Sequence, residues 1–203
     1  MVVTEVGARP REFFVGLDLG QSQDYSAWAV AERIGYARPY AYQVRHLHRW
    51  PLGTGYPAIV GEVAGLLARA PLRGQATLAV DATGVGPPVV DMLKQAHLPG
   101  TLVPITITGG QEASRDGGGW HVPKRDLVST VTVLLQSGRL KIAPALPEAP
   151  ILTSELQGFS VKITTAANDV YGAWREGQHD DLVLAVALAV WYGERPSRRL
   201  VSF

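Results

Sequence analysis

Short apolar runs separated by polar and Gly-rich breaks divide the chain, and the first, Phe13 to Leu19 (FFVGLDL), stops at Gly20. Tyr25 to Ala31 alternates small and β-branched residues, and Tyr40 to Trp50 mixes aromatics with Val and Leu. These three segments predict consecutive strands of an antiparallel meander. At Tyr56 the period changes. From there to Ala70, Ile59, Val63, Leu66 and Leu67 fall at helical spacing, and Pro57 sits in the first turn, where a missing amide is harmless. Ala76 to Val80 reads as a brief buried strand that ends at Asp81. A Gly/Pro loop (Thr83 to Pro88), a short helix (Val89 to Ala96) and a strand (Leu102 to Ile107) complete a β-α-β passage.

The second half has clearer helices and vaguer strands. Residues 108–122 (TGGQEASRDGGGWHV) read as a Gly-rich loop that is not rigid unless something binds it. Pro123 opens a helix from Lys124 to Ser137, Leu140 to Ile142 is a short edge strand, and a helix is expected near Glu148 to Gly158. Phe159 to Thr164 alternates in strand fashion, with Tyr171 to Trp174 as its pairing partner, and a last helix runs from near His179 to about Gly193. The periodicity predicts a mixed α/β class: a central mixed sheet of five or more strands flanked by helices. A flexible N-terminal tail is expected at 1–12, one domain at 13–193, and a C-terminal tail at 194–203.

Composition narrows the chemistry. With 203 residues, 46% of them hydrophobic and 18% charged, the chain suits one globular domain with a substantial core. It has no cysteine, which excludes disulfides and thiolate metal sites and leaves carboxylate, imidazole or water as ligands, a set that favours hard cations. The N-terminus lacks the apolar run of a secretory signal, and Leu182 to Tyr192 is too short to cross a bilayer, so a cytosolic protein is expected. A net charge of +1 announces no nucleic-acid partner; contact with DNA would have to come from a local basic cluster.

Carboxylates stand at suggestive places. Asp18 ends an apolar strand in GLDLG, and Asp81 repeats the pattern in LAVDATGVG. Each is either a turn aspartate or a ligand, but two at the ends of neighbouring strands would point into one crevice. Asp180 and Asp181 open the final helix. Acids are favoured there by the helix dipole, yet LVLAVALAVWY is apolar on nearly every side, which turns that first turn toward the working edge of the sheet. Asp24, six residues after Asp18, reaches the same spot or caps the hairpin. Converging carboxylates repel one another, and two hard cations would relieve that repulsion and activate a water for phosphodiester cleavage.

Four segments in order, GLDLGQSQDYSAWAV, VDATGVGPPVVDML, VPKRDLVSTVTVLLQSGRLKIAP and HDDLVLAVALAVW, resemble the nuclease domain of phage terminase large subunits over about residues 13 to 193. The element order, an antiparallel triple followed by parallel strands and helices, is the ribonuclease-H-like order. The resemblance implies that fold, a two-metal endonuclease using Mg2+ or Mn2+, and double-stranded viral DNA as substrate. By motif, Asp18 matches the first-strand metal ligand and Asp81 the acid ending the fourth strand. Asp180 and Asp181 match the acids of the last helix, with Asp181 favoured as the direct ligand, and Asp24 matches an accessory acid. Asp18, Asp81 and Asp181 are the expected catalytic set. The family implies an ATPase motor domain, a small terminase subunit and the portal as partners, in the cytoplasm of a bacterial host. No Gly-x-x-x-x-Gly-Lys-Ser/Thr loop occurs, so an excised or separately encoded nuclease domain without motor function is expected.

Candidate DNA contacts cluster between Arg115 and Lys141. Arg115, Lys124 and Arg125 suit a phosphate backbone or simply a solvated helix end; Trp120 stacks on DNA or pins its own loop. His179 is a proton-transfer group or metal ligand, or a quiet helix-start neighbour, the reading we prefer. Three rival functions remain: an actin-like or sugar-kinase ATPase fragment, from GLDLGQS and VDATGVG; a junction resolvase of the same fold; and a non-catalytic module docking to DNA or portal.

Overall fold

The computed structural model describes residues 11–20, 24–35, 37–84, 86–165 and 180–195. Its elements in order are β1 (Glu12–Asp18), β2 (Ala27–Ile34), β3 (Ala41–Arg49), α1 (Tyr56–Leu67), β4 (Ala76–Asp81), α2 (Gly86–Gln95), β5 (Thr101–Thr108), β6 (Ser114–Arg115), β7 (Trp120–Pro123), α3 (Lys124–Gln136), β8 (Leu140–Ile142), α4 (Ala149–Thr165) and α5 (Asp181–Gly193). The described strands form one eight-stranded mixed sheet, ordered β6-β7-β5-β4-β1-β2-β3-β8. β1, β2 and β3 are the expected antiparallel meander, and β4 and β5 run parallel to β1 on its other side. Among the described residues no helix is long and apolar enough to cross a membrane.

The alternation along each strand assigns the two faces. Phe13, Val15, Leu17, Trp28, Val30, Leu78 and Val80 pack with α1 and α2. Phe14, Ala27, Ala29, Ala31, Ala79, Val103 and Ile105 pack with α3, α4 and α5. From Leu182 to Trp191 every residue of α5 is buried, which is what an all-round apolar helix requires. It can lie this close to the sheet because β1 offers Gly16: a Cβ there would stand 1.8 Å from the Ala185 carbonyl oxygen and 2.9 Å from the Ala189 nitrogen.

Four segments depart from the sequence-based expectation. The Gly-rich stretch 108–122 carries the β6–β7 hairpin. Asp116 Oδ1 accepts hydrogen bonds from the Gly118 (2.7 Å) and Gly119 (3.0 Å) amides, and the Asp116 carboxylate meets His121 Nε2 at 2.8 Å. Such side-chain-to-backbone turns give Gly-rich chain a defined shape. The expected loop Thr83 to Pro88 is partly helical, since α2 starts at Gly86 and its first turn tolerates Pro87 and Pro88. Phe159 to Thr164 continues α4 as helix; β propensity is a weak prior once a helix has formed ahead of it. Its expected partner, Tyr171 to Trp174, lies outside the described residues, as do His179 and residues 1–10 and 196–203 of the expected tails. Glu12, placed in the tail, belongs to β1.

A β-bulge adds Arg45 to β3 opposite the Val30/Ala31 step of β2. Arg45 Nη2 then reaches the buried Glu32 carboxylate at 2.6 Å, alongside Arg11 Nε (2.5 Å) and Nη2 (2.8 Å). The Arg11 hydrogen bonds first, then Arg45, hold Glu32 below its ordinary value of 4.5. A depressed folded-state value adds stability above the unfolded value, and that stability is lost as pH falls through the folded value. Glu32→Gln is expected to cost about 1–3 kcal/mol at pH 7, the scale of a buried charged hydrogen-bond group left mismatched. Urea midpoints of variant and wild type should converge below roughly pH 4; a gap of constant size down to pH 3 would contradict this account.

Candidate metal centre

The site forms where β1 and β4 end side by side. Leu17 pairs with Val80, so Asp18 and Asp81 lie abreast at the carboxyl ends of adjacent strands. The two-residue period puts Asp18 on the face of Phe14 and Gly16, and Asp81 on the face of Ala79, both toward α5. The turn after Asp18 is anchored: the Gly20 amide donates to Ser26 Oγ (3.1 Å), and the Tyr56 hydroxyl donates to the Gly20 carbonyl (3.0 Å). α5 descends over Gly16 and brings its first turn, with Asp180 and Asp181, to the same edge.

The electrostatics of these acids follows from their placement. Asp18 is 7% exposed and Asp181 5%. Burial pushes the Asp18 carboxyl well above the usual range; the charges of Asp81, Asp181 and Asp180 push it further, and Lys124 opposes them. Asp81 is likewise raised, first by burial, against the Thr83 hydrogen bonds and Lys124. Thr83 donates its amide (2.8 Å) and its hydroxyl to Asp81 Oδ1, and Thr83 Oγ1 accepts from the Ile107 amide at 2.7 Å, so the carboxylate is oriented from β5.

Arg115, Trp120, Lys124 and Arg125, the expected nucleic-acid contacts, each have a partner within the protein. Lys124 belongs to the acidic site: its Nζ lies 3.7 Å from Asp180 Oδ2. Arg125 donates to the side chain and the carbonyl of Gln111 and fastens the β5–β6 connection. Trp120 packs edge-on against Trp191, ring centres 5.4 Å apart, with Arg115 5.6 Å and Arg195 5.4 Å from its ring centre. That arrangement pins the hairpin to α5. Asp24 is exposed and is not among the charges acting on Asp18.

Sequence reasoning missed Glu155 on α4. Its side chain is 6% exposed, and Oε2 accepts hydrogen bonds from the Leu182 and Val183 amides, each at 3.0 Å. Burial, with the Asp181 charge, pushes it up to about 7 against the two amides and Arg49. The available signal was an acid inside the apolar stripe Ile151, Leu152, Leu156.

The donor set suits a hard divalent cation: all oxygen, mutually repelling, and buried where isolated charge is costly. Among the described residues no three Asp, Glu or His side chains are gathered closely enough to hold an ion as they stand. What the fold provides is convergence of charge, partly offset by Lys124.

A meander, parallel strands added beside β1, and a buried helix across them make a ribonuclease-H-like fold. Within that class the resemblance is to the nuclease domain of terminase large subunits. The terminase large subunit of Thermus phage G20c is 27% identical over 182 residues, 89% of this chain and 32% of its own length, and that of Thermus virus P23-45 matches to the same extent. The chain thus spans about a third of the curated relatives it matches. No family model matches. Among solved structures, the large terminase nuclease of phage G20c with bound zinc aligns at a TM-score of 0.57 with 22% identity, covering 93% of this chain and 84% of that one. The human cytomegalovirus terminase nuclease domain, manganese-soaked and inhibitor-bound, aligns at 0.54 with 14% identity, covering 90% and 83%.

Proposed function

We propose that this chain is a metal-dependent endonuclease domain that cuts double-stranded viral DNA during genome packaging. The observation that carries the reading is the convergence of the Asp81, Asp181 and Asp180 charges on the buried Asp18. Asp18, Asp81 and Asp181 would hold two divalent ions, Mg2+ or Mn2+, which supply an activated water and stabilise the leaving oxygen of the phosphodiester. Asp181 is the better direct ligand, because Asp180 already faces Lys124. Asp24, exposed in the connection after Asp18, is proposed as an accessory acid.

The chain's own groups do the rest. Thr83 fixes the Asp81 carboxylate, α5 and its cap hold Asp181, and the apolar layer around Asp18 keeps bulk water from screening the acids. Lys124, once the acids are neutralised, is placed to meet a phosphate oxygen of the DNA. From the sequence resemblance to terminase large subunits, an ATPase motor domain, a small terminase subunit and the portal are proposed as partners in the host cytoplasm.

The same acids would serve a junction resolvase, so substrate choice separates the two. Duplex plasmid, a linear duplex and an immobile four-way junction should be offered in parallel with Mn2+. Cutting of the plasmid and duplex at least as fast as the junction fits packaging; strong preference for the junction would replace this reading with the resolvase.

A further inference from the structure

The first amides of a helix need acceptors, and the residue before the helix, when it is aspartate, usually supplies one by bending its carboxylate back to the second or third amide. α5 departs from that habit. Asp180 stands at its N-cap and makes no side-chain cap hydrogen bond. The two amides it would serve, those of Leu182 and Val183, both donate to Glu155 Oε2 of α4 at 3.0 Å. The cap is supplied from another helix, 27 residues earlier for Leu182.

Glu155 is itself held from the far side. Its Oε1 lies 3.7 Å from Arg49 Nη1 at the end of β3, and the Arg49 guanidinium lies 4.1 Å from the centre of the Tyr25 ring, in the connection that follows Asp18. One buried side chain therefore ties the segment after Asp18, the end of β3 and the first turn of α5 together. For stability alone this is a poor arrangement. It buries a carboxylate whose charge bears on Asp181, when a serine or the local aspartate would cap the helix at no such cost. Its distinctive consequence is that the Asp180 carboxylate is not drawn onto its own helix; it turns instead toward Lys124, 3.7 Å away, on the side of the acidic site.

We propose that Glu155 is a positioning residue: by capping α5 from α4 it releases Asp180 from the N-cap role and holds Asp180 and Asp181 toward Asp18. The consequence for metal binding rests on the nuclease reading above; the structural part does not.

The test compares Glu155→Ala and Glu155→Gln in the full chain. A crystal structure of Glu155→Ala is expected to show the Asp180 carboxylate turned onto the Leu182 and Val183 amides, with α5 still folded. An Asp180 left in its original orientation would overturn the proposal, whether or not any metal binds. Mn2+ titrated calorimetrically into each protein gives the second reading. Glu155→Ala should weaken binding by roughly 10–100-fold, the usual loss when support of a ligand is removed. Glu155→Gln, whose amide oxygen still accepts from the two amides, should stay within about threefold of wild type. A Gln variant as impaired as the Ala variant would make Glu155 a charged ligand and overturn the positioning role. Should Glu155→Ala not fold, Glu155→Gln decides: the proposal expects the Leu182 and Val183 amides still bonded to residue 155, Asp180 still turned toward Lys124 and Mn2+ affinity near wild type, and a loss of affinity with that cap intact would overturn it. Failure of the wild type itself to bind Mn2+ would overturn the nuclease reading, and the Asp180 orientation alone would then decide whether Glu155 frees Asp180 from the cap.

Discussion

Asp18→Asn is expected to yield a protein that is more stable than wild type without metal and inactive with it. Asp18 is a carboxylate at 7% exposure facing three more acids, an arrangement that costs folding energy at neutral pH. Asparagine keeps the shape and removes the charge. In EDTA the variant should gain on the order of 1–2 kcal/mol, as is common when a functional residue held at a cost to stability is relaxed. With Mn2+ present, DNA cleavage should fall on the order of a thousandfold, the scale set by deleting one preorganised electrostatic group. Guanidinium unfolding in EDTA and a cleavage time course measure the two halves. A destabilised variant would mean that the acids are not in conflict; wild-type cleavage would remove Asp18 from the site.

The second large effect is structural. Gly16→Val should unfold the domain or cost about 3 kcal/mol or more, at the upper end of overpacking penalties. The clash is with backbone that has nowhere to go: the Ala185 carbonyl oxygen at 1.8 Å and the Ala189 nitrogen at 2.9 Å from a Cβ on Gly16. α5 would have to lift from β1, and its first turn would carry Asp181 away from Asp18, so surviving folded protein should also lose Mn2+ affinity. Gly61→Ala is the matched control. It lies within α1, nothing stands within 4 Å of its Cβ, and alanine in a helix is worth about 0.5–1 kcal/mol over glycine. Urea midpoints should move in opposite directions for the two variants; equal destabilisation would refute the close-approach argument for Gly16.

The parts of the fold that were legible in the sequence are those written in local pattern. The apolar runs ending at Asp18 and Asp81 read as strands with acids at their carboxyl ends, and the all-apolar run after Asp181 reads as a buried helix, because one-dimensional periodicity suffices for each. The hairpin within 108–122 was not legible: its definition comes from Asp116 bonding back to glycine amides and from Trp120 meeting Trp191, 71 residues later, by the difference of the two positions. Phe159 to Thr164 misled for the opposite reason, since its local alternation is overridden by the helix that precedes it. In the site, the sequence offered the acids but not their wiring. Lys124 looked like a surface cation beside a loop and sits against Asp180, because α3 leaves β7 near the same sheet edge. Glu155 acts through amides on a different helix, a tertiary contact with no trace in spacing beyond an acid in an apolar stripe.

The most direct test of the central claim is conversion of supercoiled plasmid by the purified chain with Mn2+, with Mg2+ or with EDTA, run beside Asp81→Ala. The account predicts nicked and linear products that require the divalent ion and vanish in the variant. Cleavage that persists in EDTA or survives in Asp81→Ala would contradict it, as would an intact plasmid at every wild-type concentration and with either metal.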